Sequence, residues 1–310
     1  MRLFQGLSAF PLTPADEHGR VDTPALDRLL ERLVRAGVDS IGLLGSTGGY
    51  AYLSRSERRR ALDAAVGCVQ RQRPLMVGVG ALRTDDAQAL ARDARDAGAD
   101  ALLMAPVSYT PLTEEEVFQH YRAVAEATDL PLCIYNNPGT THFTFSHALL
   151  ARLAAVPNIQ AVKMPLPGDQ DFAGELRRLR QDTPAGFAIG YSGDWGGADA
   201  LLAGARAWYS VVAGLLPVPT LRLARAAQAG DTAETRRLED LFRPMWALFQ
   251  EFGSLRVMYV AARLLSLGEA LPPRPLLPLP RAQWPRVEQA LAALSTLDET
   301  LALKAPSTRT

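Results

Sequence analysis

Leu132-Cys133-Ile134-Tyr135 and, further on, Ile159-Gln160-Ala161-Val162-Lys163 are short, nearly unbroken apolar runs that end on a polar, chemically capable side chain. Runs of this length without apolar/polar alternation suit parallel strands covered on both faces. Working outward, the same kind of run recurs upstream at residues 40–44, 75–79 and 101–104, and downstream at 187–191 and 208–212. Residues 4–10 supply a first strand, which makes eight.

The segments between these runs carry helical periodicity. Leu26, Leu29, Leu30 and Leu33 form one stripe, and Leu62, Ala65, Val66 and Val69 another. Ser54-Arg-Ser-Glu57 and Thr113-Glu-Glu-Glu116 have the spacing of capping boxes, and Gly37 and Gly98 sit where helices end before a strand. Eight strands each followed by a helix predict an α/β fold, a (β/α)8 TIM barrel over residues 1–225. The alternative, a doubly wound open sheet, would be expected to show Gly-x-Gly-x-x-Gly after its first strand, and none is present. Past Pro217 the strand pattern stops. Residues 218–267 and 281–297 read as helices around a proline-rich connection at 271–280, so a C-terminal helical extension (226–300) is expected to pack on the barrel, with 301–310 as a tail.

Composition limits the partners. Lys+Arg and Asp+Glu both number 33, so no net charge favours nucleic acid or an anionic membrane. No stretch approaches 18 uninterrupted apolar residues, and Met1 to Gly6 lacks the basic and apolar regions of a secretory leader, so neither a membrane span nor a signal peptide is expected. Cys68 and Cys133 lie in apolar stretches far apart and read as buried thiols, which makes the cytoplasm the expected location. A small-molecule partner follows.

In a barrel, function gathers where strands end and loops begin. Three features stand there. Lys163 closes the sixth strand, and Lys163 and Lys304 are the only lysines of the chain. An apolar setting favours the neutral amine of a lysine, a nucleophile toward carbonyls. Tyr135 closes the fifth strand, where a phenol can relay protons. Gly45-Ser-Thr-Gly-Gly49 follows the second strand, where small residues let the backbone approach a ligand and successive N–H groups hold an anion. Each alone reads equally as structure: a rim ion pair, a packed strand-end tyrosine, a glycine-rich turn. Their meeting on strands two, five and six of one barrel points to a site.

Taken together, these motifs resemble the dihydrodipicolinate synthase / N-acetylneuraminate lyase family of pyruvate-dependent class I aldolases. Gly45-Ser-Thr-Gly-Gly49 is similar to the family's Gly-[Thr/Ser]-[Thr/Ser]-Gly-Glu loop, and Tyr135-Asn-x-Pro138 to its Tyr-Asn-x-Pro motif. Val162-Lys163 matches its Schiff-base lysine, and Ser192-Gly-Asp194 its loop after strand seven. The resemblance implies that Lys163 forms an imine with pyruvate, that Tyr135 relays protons, and that Ser46 links the tyrosine to solvent and substrate. It implies that the Ser46 and Thr47 backbone, with Gly48, holds the pyruvate carboxylate, and that Tyr209 on strand eight falls where a main-chain carbonyl faces the site. No metal or organic cofactor is implied, since the protonated imine is the electron sink. A homotetramer or homodimer is implied as the assembly.

The departures concern the second substrate. Thr140 stands where synthases of the family carry an arginine that grips a carboxylate, and Ser108 where they carry a relay tyrosine, with Tyr109 beside it as the nearest substitute. Gly49 replaces the loop glutamate. The resemblance therefore implies a lyase or aldolase joining or cleaving pyruvate and an aldehyde or sugar-acid partner. A genuine 4-hydroxy-tetrahydrodipicolinate synthase is one alternative, and an inactive keto-acid-binding barrel another.

Overall fold

Each apolar run becomes one strand of a closed parallel barrel in the computed structural model, which describes residues 3–298. The strands are β1 (Gly6–Ala9), β2 (Ser40–Leu43), β3 (Leu75–Gly78), β4 (Ala101–Met104), β5 (Leu132–Tyr135), β6 (Ile159–Met164), β7 (Ala188–Tyr191) and β8 (Ala207–Ser210), hydrogen-bonded in sequence order with β8 returning to β1. β1 starts later than the sequence suggested. Phe4 has a φ of 55°, in the left-handed region, so the chain enters the barrel only at Gly6.

Helices separate the strands: α1 (Thr23–Ala36), α2 (Arg55–Val69), α3 (Thr84–Ala97), α4 (Glu114–Ala125), the single turn α5 (Pro138–Thr141), α6 (His147–Ala154), α7 (Phe172–Asp182), α8 (Asp194–Leu202) and α9 (Pro217–Gln228). The local signals explain their ends. Asp22 caps α1 by accepting from the Ala25 N–H, and Gly37 closes it at φ 87°. Thr113 and Glu116 form the full reciprocal box expected at α4. The Ser54 box is only half made. Ser54 accepts from the Glu57 N–H, but the Glu57 carboxylate is drawn away to the Val21 N–H at 2.8 Å.

Since β8 is followed by α9 as the other strands are by their helices, residue 225 falls inside the eighth barrel helix. Three further helices follow: α10 (Thr232–Phe252), α11 (Ser254–Leu264) and α12 (Trp284–Ser295). Asp231 begins α10 by accepting from the Glu234 N–H, and Gly253, at φ 80°, separates α10 from α11. α10 packs on α8, α9 and α12, which lays the extension along one flank of the barrel and carries the α10–α11 junction to its mouth. The expected tail, 301–310, lies outside the described residues, as does Lys304. No helix among the described residues is long and apolar enough to cross a membrane.

Alternation along the strands divides the core in two. Ile134, Val162 and Ile189 point outward into the layer shared with the helices, whereas Cys133, Tyr135, Ala161, Ala188 and Ala207 point into the barrel. The inner set is mostly small, which leaves room for three large rings toward the C-terminal ends of the strands: Phe10, Tyr135 and Tyr209. Gly42 makes part of that room, because a Cβ there would stand 2.3 Å from the Phe10 ring.

Candidate active site

Tyr135 and Lys163 are register partners on adjacent strands, so their side chains rise side by side from the same face. Lys163 is 4% exposed, and its Nζ lies 3.6 Å from the centre of the Tyr135 ring and 5.4 Å from that of Phe10. Burial beside two ring faces leaves the amine few water contacts and a weakly attractive quadrupole. Among the described residues it is the only lysine.

The Tyr135 hydroxyl is met from two sides. The Ser46 hydroxyl stands 3.4 Å away, at the long end of a hydrogen bond, and the Asn137 amide donates to it at 3.0 Å. The same Asn137 nitrogen donates to the Thr140 hydroxyl at 3.0 Å. Local backbone makes this arrangement: Pro138 starts the α5 turn, and the Thr140 and Thr141 N–H groups both donate to the Asn137 carbonyl.

A cavity of about 820 Å³ opens above Lys163. Of the residues singled out in the sequence, Lys163, Tyr135, Ser46, Thr47, Thr140 and Ser108 line it together, and Gly49 joins them. Three expected contacts do not. Gly48 lines the neighbouring cleft between the β1–α1 loop and the proline-rich connection, close against Thr13 and the Leu44 backbone. Tyr109 is 96% exposed and points away from the cavity. Tyr209, expected through its main-chain carbonyl, is not on the lining, and its side chain is fully buried inside the barrel, edge-on to Phe10 and accepting from the Cys133 thiol at 3.7 Å. It supports the floor of the site from the barrel side.

Other residues were missed. Asn137 sits at the variable position of the Tyr-Asn-x-Pro motif, and only its reach back to Tyr135 reveals it. Phe10 carries no chemistry of its own and could be found only by tracing which residues face inward. Tyr50 lines the cavity from the turn after Gly49, with the Arg58 guanidinium 5.2 Å from its ring centre. Burial pushes its phenol up to about 12, against the pull of Arg58. Phe249, Ser254 and Leu255 reach the cavity from the α10–α11 junction.

Asp194 is the buried acid of the site. It accepts from the Trp208 indole at 3.0 Å and from the Val211 and Val212 N–H groups at 3.1 and 2.8 Å, which fixes the turn after β8. Burial raises its carboxyl to about 6, although these donors and the Lys163 charge oppose the shift. The two cysteines are free. Cys133 is buried as expected, and burial pushes its thiol up to about 12, whereas Cys68 is only half-buried.

A family model described as "Dihydrodipicolinate synthetase family" matches residues 3–294. The chain belongs to that family. It is a dihydrodipicolinate synthetase-family aldolase, with the family's barrel. It is 36% identical over 285 residues to the 4-hydroxy-tetrahydrodipicolinate synthase of Methylibium petroleiphilum, covering 90% of this chain and 94% of that protein. Among solved structures, dihydrodipicolinate synthase from Agrobacterium tumefaciens is similar at 65% identity and a TM-score of 0.93, over 94% of this chain and 98% of that one. The Acinetobacter baumannii dihydrodipicolinate synthase, solved in complex with pyruvate, is similar at 29% identity and a TM-score of 0.85, over 94% and 99%.

Proposed function

We propose that this family member forms an imine between Lys163 and the 2-carbonyl of pyruvate, and uses it to make or break a carbon–carbon bond with an aldehyde. The observation that carries the reading is the placement of a buried lysine against Tyr135 at the floor of a large cavity. The free Nζ attacks C2 of the keto acid, and the carbonyl oxygen takes a proton to give a carbinolamine. That oxygen leaves as water and an iminium remains. Loss of a C3 proton then yields the enamine nucleophile. Tyr135 is placed to move these protons, and Ser46 and Asn137 hold its hydroxyl. The pyruvate carboxylate fits the loop at Ser46 and Thr47, whose N–H groups follow the left-handed Leu44. The iminium draws electrons from C3, so the reading calls for no cofactor.

Pyruvate dissolved in D2O with the enzyme tests this. The reading expects deuterium at C3, seen as loss of the methyl proton signal, and none with Lys163→Ala. Unchanged exchange in Lys163→Ala would overturn it.

The name of the curated relatives favours a second reading, a 4-hydroxy-tetrahydrodipicolinate synthase proper. Turnover of aspartate semialdehyde with pyruvate separates the two readings. The free thiols support a reducing, cytoplasmic setting, and the family resemblance supports a homotetramer or homodimer.

A further inference from the structure

The half of the cavity beyond Lys163 has a chemistry of its own. Pyruvate has six non-hydrogen atoms and leaves most of about 820 Å³ unfilled. Among the described residues, Lys163 is the only cationic side chain lining the cavity, and its amine becomes the imine. Arginines near the cavity are otherwise engaged, Arg256 with the Phe252 carbonyl at 3.5 Å. Arg58 donates to the Gly80 and Gly78 carbonyls at 3.1 and 2.8 Å, beneath Tyr50. Arg236 is shared between Asp199, at 2.6 Å, and Glu239. Two carboxylates also line the cavity, Asp199 paired with Arg236 and Asp194 accepting from Trp208, Val211 and Val212, and neither has a hydrogen to donate.

The neutral groups are specific about what they have left to offer. The Asn137 amide has committed both N–H bonds, to Tyr135 and Thr140, so its oxygen is left to accept. The Thr140 hydroxyl already accepts from Asn137 and has its proton left to donate. Ser192 donates to the Met164 carbonyl at 3.1 Å and is left to accept. A carboxylate only accepts hydrogen bonds, so it would face two acceptors, with no cationic side chain but Lys163 on the lining. A hydroxyl both donates and accepts, and satisfies all three. Ser108 and Ser254 extend the same neutral lining.

We infer that the second substrate is a neutral aldehyde bearing hydroxyl groups beside its carbonyl, so that the aldol has one carboxylate, the one brought by pyruvate. This rests on the Schiff-base reading of Lys163. In the forward direction the enamine C3 bonds to the aldehyde carbon, and the aldehyde oxygen takes the proton relayed by Tyr135 and becomes a hydroxyl. Water then hydrolyses the iminium, freeing the keto acid and the lysine amine.

The test supplies the full-length enzyme with pyruvate and either neutral aldehydes (glyceraldehyde, erythrose) or anionic ones (aspartate semialdehyde, succinate semialdehyde). A charge-assisted contact that is missing from the site corresponds to a preference of roughly 10- to 100-fold in kcat/KM for the neutral pair. Thr140→Arg should shift that ratio toward the anions by about tenfold or more. Semialdehydes used as well as or better than the neutral pair, or a ratio unmoved by Thr140→Arg, would overturn the inference. C3 deuterium exchange into pyruvate runs beside it as the control. If exchange occurs and neither pair reacts, the inference alone falls; if exchange is also absent, the Lys163 reading falls with it.

Discussion

The Lys163 amine rests over the face of the Tyr135 ring while the hydroxyl of the same ring is held from the other side by Asn137 and Ser46. One residue thus serves twice, as an apolar wall for the nucleophile and as a proton carrier. The two roles separate by mutation. Tyr135→Phe keeps the wall and removes the carrier, and should lower kcat by roughly 10²- to 10³-fold. Its melting temperature should stay close to that of the wild type. Steady-state rates and a thermal melt on the same sample check both.

Toward the keto acid, Asn137 acts only through the Tyr135 hydroxyl it holds, whatever its oxygen does for the second substrate. Asn137→Ala should slow C3 exchange into pyruvate about tenfold and leave the KM for pyruvate nearly unchanged, since for that half-reaction the aim of the Tyr135 hydroxyl is what is lost. A rise in KM with kcat unaltered would assign Asn137 to binding instead.

Gly42 is small because Phe10 occupies the space of its missing side chain. Gly42→Ala would put a carbon 2.3 Å from the ring. Such overpacking costs about 1–3 kcal/mol, and the forced movement of Phe10 would also disturb the second ring beside Lys163. Denaturant unfolding and the rate of C3 exchange should fall together.

Asp194 makes stability depend on pH in a direction opposite to that of most acids. Its carboxyl rises from 3.8 to about 6 on folding because it is buried. Between these values the folded protein binds more protons than the unfolded chain, so this group's contribution is largest below pH 4. It falls as pH climbs to 6 and is constant above; the span is about 3 kcal/mol. Asp194→Asn removes the titration but turns an N–H toward donors, and should cost about 2–4 kcal/mol near neutral pH. The wild-type advantage, measured by urea unfolding, should therefore narrow between pH 4 and 6 and hold steady above 7.

The barrel was legible because its strands are buried on both faces: all eight apolar runs end within two residues of the strands they became. Lys163 and Tyr135 were legible because each ends such a run. What the sequence could not convey was depth and long-range contact. Tyr209 lies on a strand like Tyr135 does, but Gly190 opposite leaves a space that takes its ring into the barrel interior. Glu57 had the spacing to complete the Ser54 box, yet a buried N–H from Val21 competed for its carboxylate. Ser254 and Leu255 reach the cavity only because α10 and α11 meet at the barrel mouth, a contact between residues far apart in sequence. Tyr109 was adjacent to the right loop position and still points outward, because the chain bends there, after Ser108.

Everything proposed for this site depends on a covalent bond at one nitrogen. Treating the enzyme with pyruvate and borohydride, then mapping the product by peptide mass spectrometry, reads that bond directly. The account predicts a single reduced pyruvate adduct, on the peptide containing Lys163, and none in Lys163→Ala. An adduct on Lys304, or no adduct at all, would contradict it.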